Sequence, residues 1–432
     1  MPAAPLRLGL AGLGTVGIGV VKILEREADL VAARAGRPVV ITAVSARDRS
    51  KNRDADLSRF AWETDPVALA SRDDIDVFVE VMGGHEGPAR AATEAALAAG
   101  KDVVSANKAL LAHHGQTLAT QAEAKGATIR FEAAVAGGIP VIKALTEGLA
   151  GNRIKRVMGV MNGTCNYILT RMQAAGLPYD QVFEEARQLG YLEADPNLDV
   201  GGIDAGHKLS LLAAIAFGTQ VAFDAVELEG IGNVSIDDIR LADEMGYRIK
   251  LLGVAQMTGR GLEQRMTPCL VPTESPFGPL MGGTNMVMLE GDSVGQIFLR
   301  GPGAGMGPTA SAVMGDVIDI ARGIRLPTFG LPAAQLTKPV PARSAAAAPY
   351  YLRMTLLDKP GALAKIATCL GEAGVSIDQM RQINQKGDED DDAIVLIVTH
   401  KATPADISDA MARFGATGVL VGAPVAIRIE EV

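Results

Sequence analysis

Cysteine is scarce in this 432-residue chain: Cys165, Cys269 and Cys369 are the only three, far apart and without a CxxC pair. Their spacing excludes a disulfide framework or a zinc site and suits a reducing, cytoplasmic setting. Aromatics are only 4% with a single Trp, and acidic residues outnumber basic ones by 50 to 41 with no Lys/Arg-rich block. Nucleic acid is therefore not an expected partner. Long apolar runs are lacking too. Leu8 to Leu24 imitates a signal peptide, but Gly9, Gly12, Gly14, Gly17 and Gly19 punctuate it, and Leu209 to Phe217 is too short to cross a bilayer, so no membrane partner is expected. What the chain has in plenty is glycine, 49 residues, and alanine, within 48% hydrophobic and 21% charged sequence. That is globular composition, and the length predicts two or three domains.

Patterning divides the chain. Leu6 to Leu10 reads as a buried strand and Thr15 to about Ala35 as a helix, joined by Gly12-Leu13-Gly14-Thr15-Val16-Gly17. Strands follow at Val39 to Val44, Val77 to Val81, Asp102 to Ser105 and Thr128 to Glu132, with helices at Ala89 to Ala99 and Gln116 to Lys125. Alternating strand and helix predicts a Rossmann-type doubly wound parallel sheet over residues 1–140, completed by a return helix within 305–325. Residues 141–304 read as an α+β catalytic and dimerisation domain, with helices at Cys165 to Ala174, Tyr179 to Leu189 and about Gly202 to Phe217 and a second Gly-rich loop around Gly303. Residues 326–349, dense in Pro and Ala, read as an extended linker. Residues 350–432 run β-α-β-β-α-β, a ferredoxin-like order.

In a strand–GxGxxG–helix unit the glycines allow a tight turn and close approach to a pyrophosphate held by helix N-terminal amides. The plain alternative is a Gly-rich turn with no ligand. Where an NAD enzyme usually carries an acid after the second strand, this chain has Arg47, with Asp48, Arg49 and Lys51 behind it. Arg47 suits a 2′-phosphate and favours NADP, with NAD still possible. Ser105-Ala106-Asn107-Lys108 places a lysine at the carboxyl edge of the sheet, where ligands bind in such folds. Asp204 and Lys208 share a helix face at i,i+4, beside a loop crowded with Glu193, Asp195 and Asp199. The ordinary reading is a helix salt bridge; the functional one is a substrate ammonium site with a proton-exchanging lysine. His85, His113, His114, His207 and His400 show no transition-metal spacing, and His113-His114 are expected at a helix start. Cys165 reads as structural.

These motifs, in order and spacing, resemble the homoserine dehydrogenase family. The resemblance rests on the GxGxxG loop, Val81-Met82-Gly83-Gly84, Ser105 to Ala109, Asn162-Gly163-Thr164, Glu193-Ala194-Asp195-Pro196, and Gly202-Ile203-Asp204 with Lys208. The tail, from Asp358-Lys359-Pro360-Gly361-Ala362-Leu363, looks like an ACT domain, and the form resembled is the monofunctional one. The resemblance implies reversible NAD(P)-dependent interconversion of L-aspartate 4-semialdehyde and L-homoserine, on the route to threonine, methionine and isoleucine. It casts Lys208 as proton donor or acceptor, with Asp204 and Lys108 assisting. Glu193 would bind the substrate's amino end, with Asp199, Asn162, Gly163 and Thr164 in the substrate site. Gly12 to Gly17, Arg47, Gly83, Ser105, Lys108 and Gly303 would face the cofactor. Glu132 with the carbonyls of Val135, Gly137 and Ile139 matches a sodium or other monovalent-cation site. Asp358, Gly361 and Leu363 would lie at an effector site, with L-threonine the natural candidate, and a homodimer or homotetramer is implied. Cys165 stands where Thr is usual, and Gly206-His207 replaces a more usual pair before Lys208. Two rivals are weighed: an aspartate-semialdehyde dehydrogenase, which needs an activated Cys that is not evident, and an amino-acid sensor with an inactive dehydrogenase portion.

Overall fold

The computed structural model describes residues 3–192, 195–384 and 392–432. Its first sheet contains β1 (Leu6–Ala11), β2 (Val39–Ser45), β3 (Ala61–Glu63), β4 (Val77–Glu80), β5 (Asp102–Ser105) and β6 (Ile129–Arg130). The order is β3-β2-β1-β4-β5-β6, all parallel, so the strand order reverses beside β1. β1, β4 and β5 are almost wholly buried, as expected of strands covered on both faces. The helix Met306–Ala321 packs on Thr15–Ala35, and Val313, Met314 and Val317 join the core of Leu8, Leu10 and Val20. This return helix begins four residues before Ala310, where the apolar periodicity starts, because Gly305 caps it. β3, three residues long, and the helix Pro66–Ser71, six residues long, are too short for periodicity to reveal them.

The second sheet holds β7 (Ile154–Val160), β8 (Glu227–Leu228), β9 (Tyr247–Thr258), β10 (Gly261–Pro272), β11 (Thr284–Gly291), β12 (Gly295–Pro302), β13 (Tyr350–Leu357), β14 (Ile377–Asn384), β15 (Asp392–Thr399) and β16 (Leu420–Ile429). Its path is β12-β11-β7-β9-β10-β16-β13-β15-β14, with β8 beside β10. One sheet thus runs through both the middle domain and the tail. The tail keeps the predicted β-α-β-β-α-β order, with helices Ala362–Glu372 and Pro404–Ala416 on one face. Its other face, including Tyr351, Leu396 and Val398, is buried in the core of the middle domain.

The segment expected as an extended linker is pinned along its length. Phe329 is buried against Phe131, Thr337 bridges Thr219 and Pro341 bridges Leu262, while Arg325 just before it pairs with Asp102. Proline keeps it extended, and its apolar side chains and free carbonyls find partners on the domains it joins. Between the helix predicted to end at Phe217 and β9 lies a further helix, Ile236–Glu244, started by a Ser235/Asp238 capping box. Among the described residues no helix is long and apolar enough to cross a membrane.

Candidate active site in the cleft between the sheets

The Gly-rich loop leaves β1 at the point where the strand order reverses. Gly12 has φ +103°, and a side-chain carbon there would meet the Val81 carbonyl oxygen at 2.6 Å. At Gly17 it would meet the Gly12 oxygen at 1.9 Å, whereas at Gly14 it would enter open space. First and third glycines are therefore demanded by packing, and the second leaves a cradle at a helix N-terminus, where unpaired amides favour phosphate. Thr15 and Val16 line the cleft, and Leu13 turns into the core. Arg47 is exposed at the end of β2. Beside it Arg53 donates to the Leu13 and Asp48 carbonyls, and Arg49 and Arg53 lie over Trp62. These residues fit a dinucleotide: a cradle for the pyrophosphate and cations at its adenosine end.

The carboxyl ends of β4 and β5 are tied together by Glu80, a residue that no sequence motif marks. Buried Glu80 accepts from Ser105 Oγ (2.8 Å) and from the amides of Met82 (2.8 Å) and Gly83 (3.2 Å). Burial raises its carboxyl above the ordinary value despite these bonds. Ser105 thus acts on the cleft through Glu80, while Gly83 lines the cleft itself. Asn107 caps the helix Lys108–Ala124 through Leu110 N, so Lys108 opens that helix at the cleft. The helix starts eight residues before Gln116 because Asn107 caps it there; His113 and His114 therefore lie in its second turn rather than at its start.

Opposite, the helix Ile203–Phe217 projects Asp204 and Lys208 from its first turns. Lys208 Nζ lies 2.6 Å from Asp204 Oδ2 and donates to the Met161 carbonyl at 2.9 Å; Lys108 Nζ lies 2.8 Å from Asp204 Oδ1. Burial alone raises the Asp204 carboxyl, but Lys208 and Lys108 outweigh it and hold the group well below the usual carboxylate range. One carboxylate therefore faces two ammonium groups, and the cluster suits negative charge developing on a bound oxygen.

Asn162 N-caps the helix Gly163–Ala175 through Cys165 N and donates from Nδ2 to Asp199 Oδ1 at 2.9 Å. Thr164 Oγ1 donates to the Tyr191 carbonyl, and Tyr191 stacks on Tyr167. Asn162, Gly163, Thr164, Asp199, Asp204 and both lysines all line one cavity of about 640 Å³. Glu193 lies outside the described residues. Cys165 Sγ is buried against the Asp199 carbonyl, and burial, then Asp199 and Asp204, pushes the thiol well up, as befits a structural residue.

Gly303 lines the same cavity, where a side chain would collide with the Asn285 amide at 1.9 Å. Asn285 and Met161 escaped sequence reasoning because only sheet pairing and packing bring Asn285 to the cleft and the Met161 carbonyl to Lys208. Behind the cleft, Glu132 is buried, accepting from Ile142 N (2.9 Å) and Lys143 N (2.8 Å) while its own amide donates to Asp316. Burial and the Asp316 charge push Glu132 up to about 7. Val135 lines the cleft, and the Gly137 backbone lies against Gly303. His113 packs among His85, His207 and Phe223 with ring centroids 4.4, 5.4 and 5.3 Å away, joining the two domains beside Asp204. In the tail, Gly361 takes a left-handed conformation at the start of Ala362–Glu372, with Asp358 exposed and Leu363 half-buried.

A dinucleotide cradle facing a lysine–aspartate–lysine cluster defines a nicotinamide-dependent oxidoreductase. Comparison with known proteins narrows the class. Residues 12–132 match the family model "Homoserine dehydrogenase, NAD binding domain", residues 140–318 match "Homoserine dehydrogenase" and residues 350–416 match "ACT domain". The chain is 43% identical over 436 residues to the homoserine dehydrogenase of Pseudomonas aeruginosa, covering 99% of both. It is 39% identical to that of Bacillus subtilis, covering 94% of this chain and 93% of the relative. A solved homoserine dehydrogenase from Thiobacillus denitrificans superposes with TM-score 0.93 at 40% identity over 99% of both chains. A hyperthermophilic archaeal homoserine dehydrogenase in complex with NADPH is similar at TM-score 0.62 and 25% identity, over 73% of this chain and 97% of that one. The chain belongs to the homoserine dehydrogenase family, NAD(P)-dependent oxidoreductases of amino-acid biosynthesis that interconvert L-aspartate 4-semialdehyde and L-homoserine.

Proposed function

We propose that Lys208 is the proton donor and acceptor of this reaction, held by Asp204 and aided by Lys108. The observation that carries this is Asp204 bridging both ammonium groups at 2.6 and 2.8 Å inside the cleft. A bound nicotinamide cofactor supplies the hydride. As the aldehyde carbon accepts it, the oxygen becomes an alkoxide, which Lys208 stabilises and protonates to give the alcohol. Asp204 stays ionised and keeps Lys208 aimed; Asn162 and Asp199 shape the substrate end, where Glu193 is proposed to take the amino group.

NADP is the preferred cofactor, with Arg47 and its neighbour Arg53 toward the 2′-phosphate. Glu132 and the carbonyls of Val135, Gly137 and Ile139 hold sodium or another monovalent cation. The support is a buried carboxylate pair, Glu132 and Asp316, whose carboxyls stay raised by burial although Lys143 lies beside them. The tail senses an amino acid, L-threonine first among candidates, at Asp358, Gly361 and Leu363; the enzyme is a cytoplasmic homodimer or homotetramer. The test is L-homoserine oxidation followed by nicotinamide absorbance with NADP and NAD separately, with and without sodium and L-threonine. Activity with NADP, and an Arg47→Ala variant whose KM rises for NADP far more than for NAD, is expected. No activity with either cofactor overturns the reading, and equal KM changes overturn the Arg47 assignment.

A further inference from the structure

β9 carries a charge where its pattern calls for an apolar residue. Lys250, Leu252 and Val254 alternate onto one face of the strand, and Leu252 and Val254 pack there with Met158, Phe277 and Leu280. Lys250 itself is 1% exposed, yet it makes no ion pair among the described residues. Burial pushes its ammonium group down to about 8, and Arg248 adds to the fall. A lysine buried without a counter-ion is costly to keep, so the position asks for a use that an apolar side chain would not serve.

What the ammonium group holds is neutral. Its Nζ donates to Asn166 Oδ1 at 3.1 Å and to the Leu280 carbonyl. With its oxygen so engaged, the buried Asn166 amide turns Nδ2 to the carbonyls of Leu280 (3.3 Å) and Gly282 (2.7 Å). One turn further along the helix Gly163–Ala175, Thr170 Oγ1 accepts from Gly282 N at 3.2 Å. The loop before β11 is thereby fastened to that helix through the Leu280 carbonyl and both backbone groups of Gly282. The next residue, Gly283, lines the cleft, and its carbonyl oxygen would stand 2.7 Å from a side-chain carbon on Gly163. Gly163 opens the helix between Asn162 and Thr164, all three in the cavity wall. Lys250 thus stands behind the wall, and the loop carries its hold to the backbone that faces the cavity.

We propose that Lys250 is a positioning residue for the substrate: by clamping Leu280 to Asn166 it fixes the loop that seats the Gly163–Thr164 backbone, and so sets the affinity for L-homoserine without touching substrate or cofactor. The proposal rests on the reading of Gly163 and Thr164 as substrate-facing. The members of the clamp are Asn166, Thr170, Leu280 and Gly282, none of them in the Gly12–Gly17 cradle or in the Lys108–Asp204–Lys208 cluster. Loosening the clamp therefore weakens substrate binding and spares the cofactor and the proton relay.

The test is steady-state kinetics of Lys250→Met, which keeps the length of the side chain and removes its donors, with KM measured separately for L-homoserine and NADP alongside kcat and a melting curve. KM for L-homoserine rises about tenfold or more, the scale of a lost charged hydrogen bond, while KM for NADP and kcat stay within about threefold, the pattern of lost uniform binding. Asn166→Leu breaks the same clamp and gives a similar rise, and the double variant adds no more than about twofold to it, as groups acting as one unit require. Thr170→Val, a change of like shape at the far end of the clamp, raises the same KM about fivefold, the scale of a neutral hydrogen bond, and this decides the matter where Lys250→Met does not fold. A lowered melting point with both KM values and kcat unchanged makes Lys250 a structural residue and overturns the proposal, leaving Gly163 and Thr164 at the substrate. A KM rise confined to NADP overturns it through the reading it rests on, because those two residues then face the cofactor.

Discussion

Two buried charge clusters flank the cleft, and their carboxylates are shifted in opposite directions. Asp204 is held between two lysines and stays ionised well below the usual range. Glu132 and Asp316 lie side by side with Lys143 drawn mainly to Asp319, and burial raises them to about 7 and about 6. Desolvation is common to both; partner charge decides the sign. The first cluster suits negative charge on a substrate oxygen, and the second is the one proposed to take a cation.

Breaking the first cluster carries the largest expected effect. Lys108→Ala and Asp204→Asn should each lower turnover by roughly 100-fold, the low end of general acid–base catalysis, with the Asn variant also losing thermal stability because two ammonium groups are left facing each other. Steady-state kinetics and a melting curve check both, and unchanged turnover in either would remove that residue from the relay.

The second cluster is sharpened by pH. A raised carboxylate binds its proton more tightly folded than unfolded, so its contribution to stability falls as pH rises from its ordinary value of 4.5 through about 7. Sodium should therefore raise Tm more at pH 8 than at pH 5.5. Glu132→Gln should abolish that difference and recover about 1–3 kcal/mol at pH 8 in cation-poor buffer. Equal sodium effects at both pH values would contradict the cation site.

His207 gives the smallest effect. Burial, then His113, lowers it to about 4, so it is neutral near pH 7. A depressed imidazole costs stability as pH falls from 6.5 toward 4, and His207→Gln should flatten that acid-side loss by about 1 kcal/mol. Melting curves between pH 4 and 7 check it; an unchanged slope would place the acid sensitivity elsewhere.

How much of this was legible follows from chain distance. Gly12, Gly14 and Gly17 announce the cradle, and Asp204 and Lys208 announce a shared face, because each relation lies within one or two turns. The meeting of Lys108 with Asp204, Glu80 with Ser105, and Lys208 with the Met161 carbonyl depends on strand order and domain packing, which local periodicity does not encode. The tail's β-α-β-β-α-β order was legible; its two-residue seam with β10 was not, since neither strand differs in pattern from an ordinary edge. Proline density marked residues 326–349 as extended, but their docking rests on contacts with Phe131, Thr219 and Leu262, more than 75 positions away.

The most direct test of the account is a single-turnover comparison of wild type and Lys208→Ala, mixing protein and NADPH with L-aspartate 4-semialdehyde and measuring NADPH affinity separately. The account predicts that NADPH oxidation slows by roughly 10²–10⁴-fold while NADPH affinity stays within about threefold, on the order of 0.6 kcal/mol. A variant that oxidises NADPH at the wild-type rate would contradict the role assigned to Lys208.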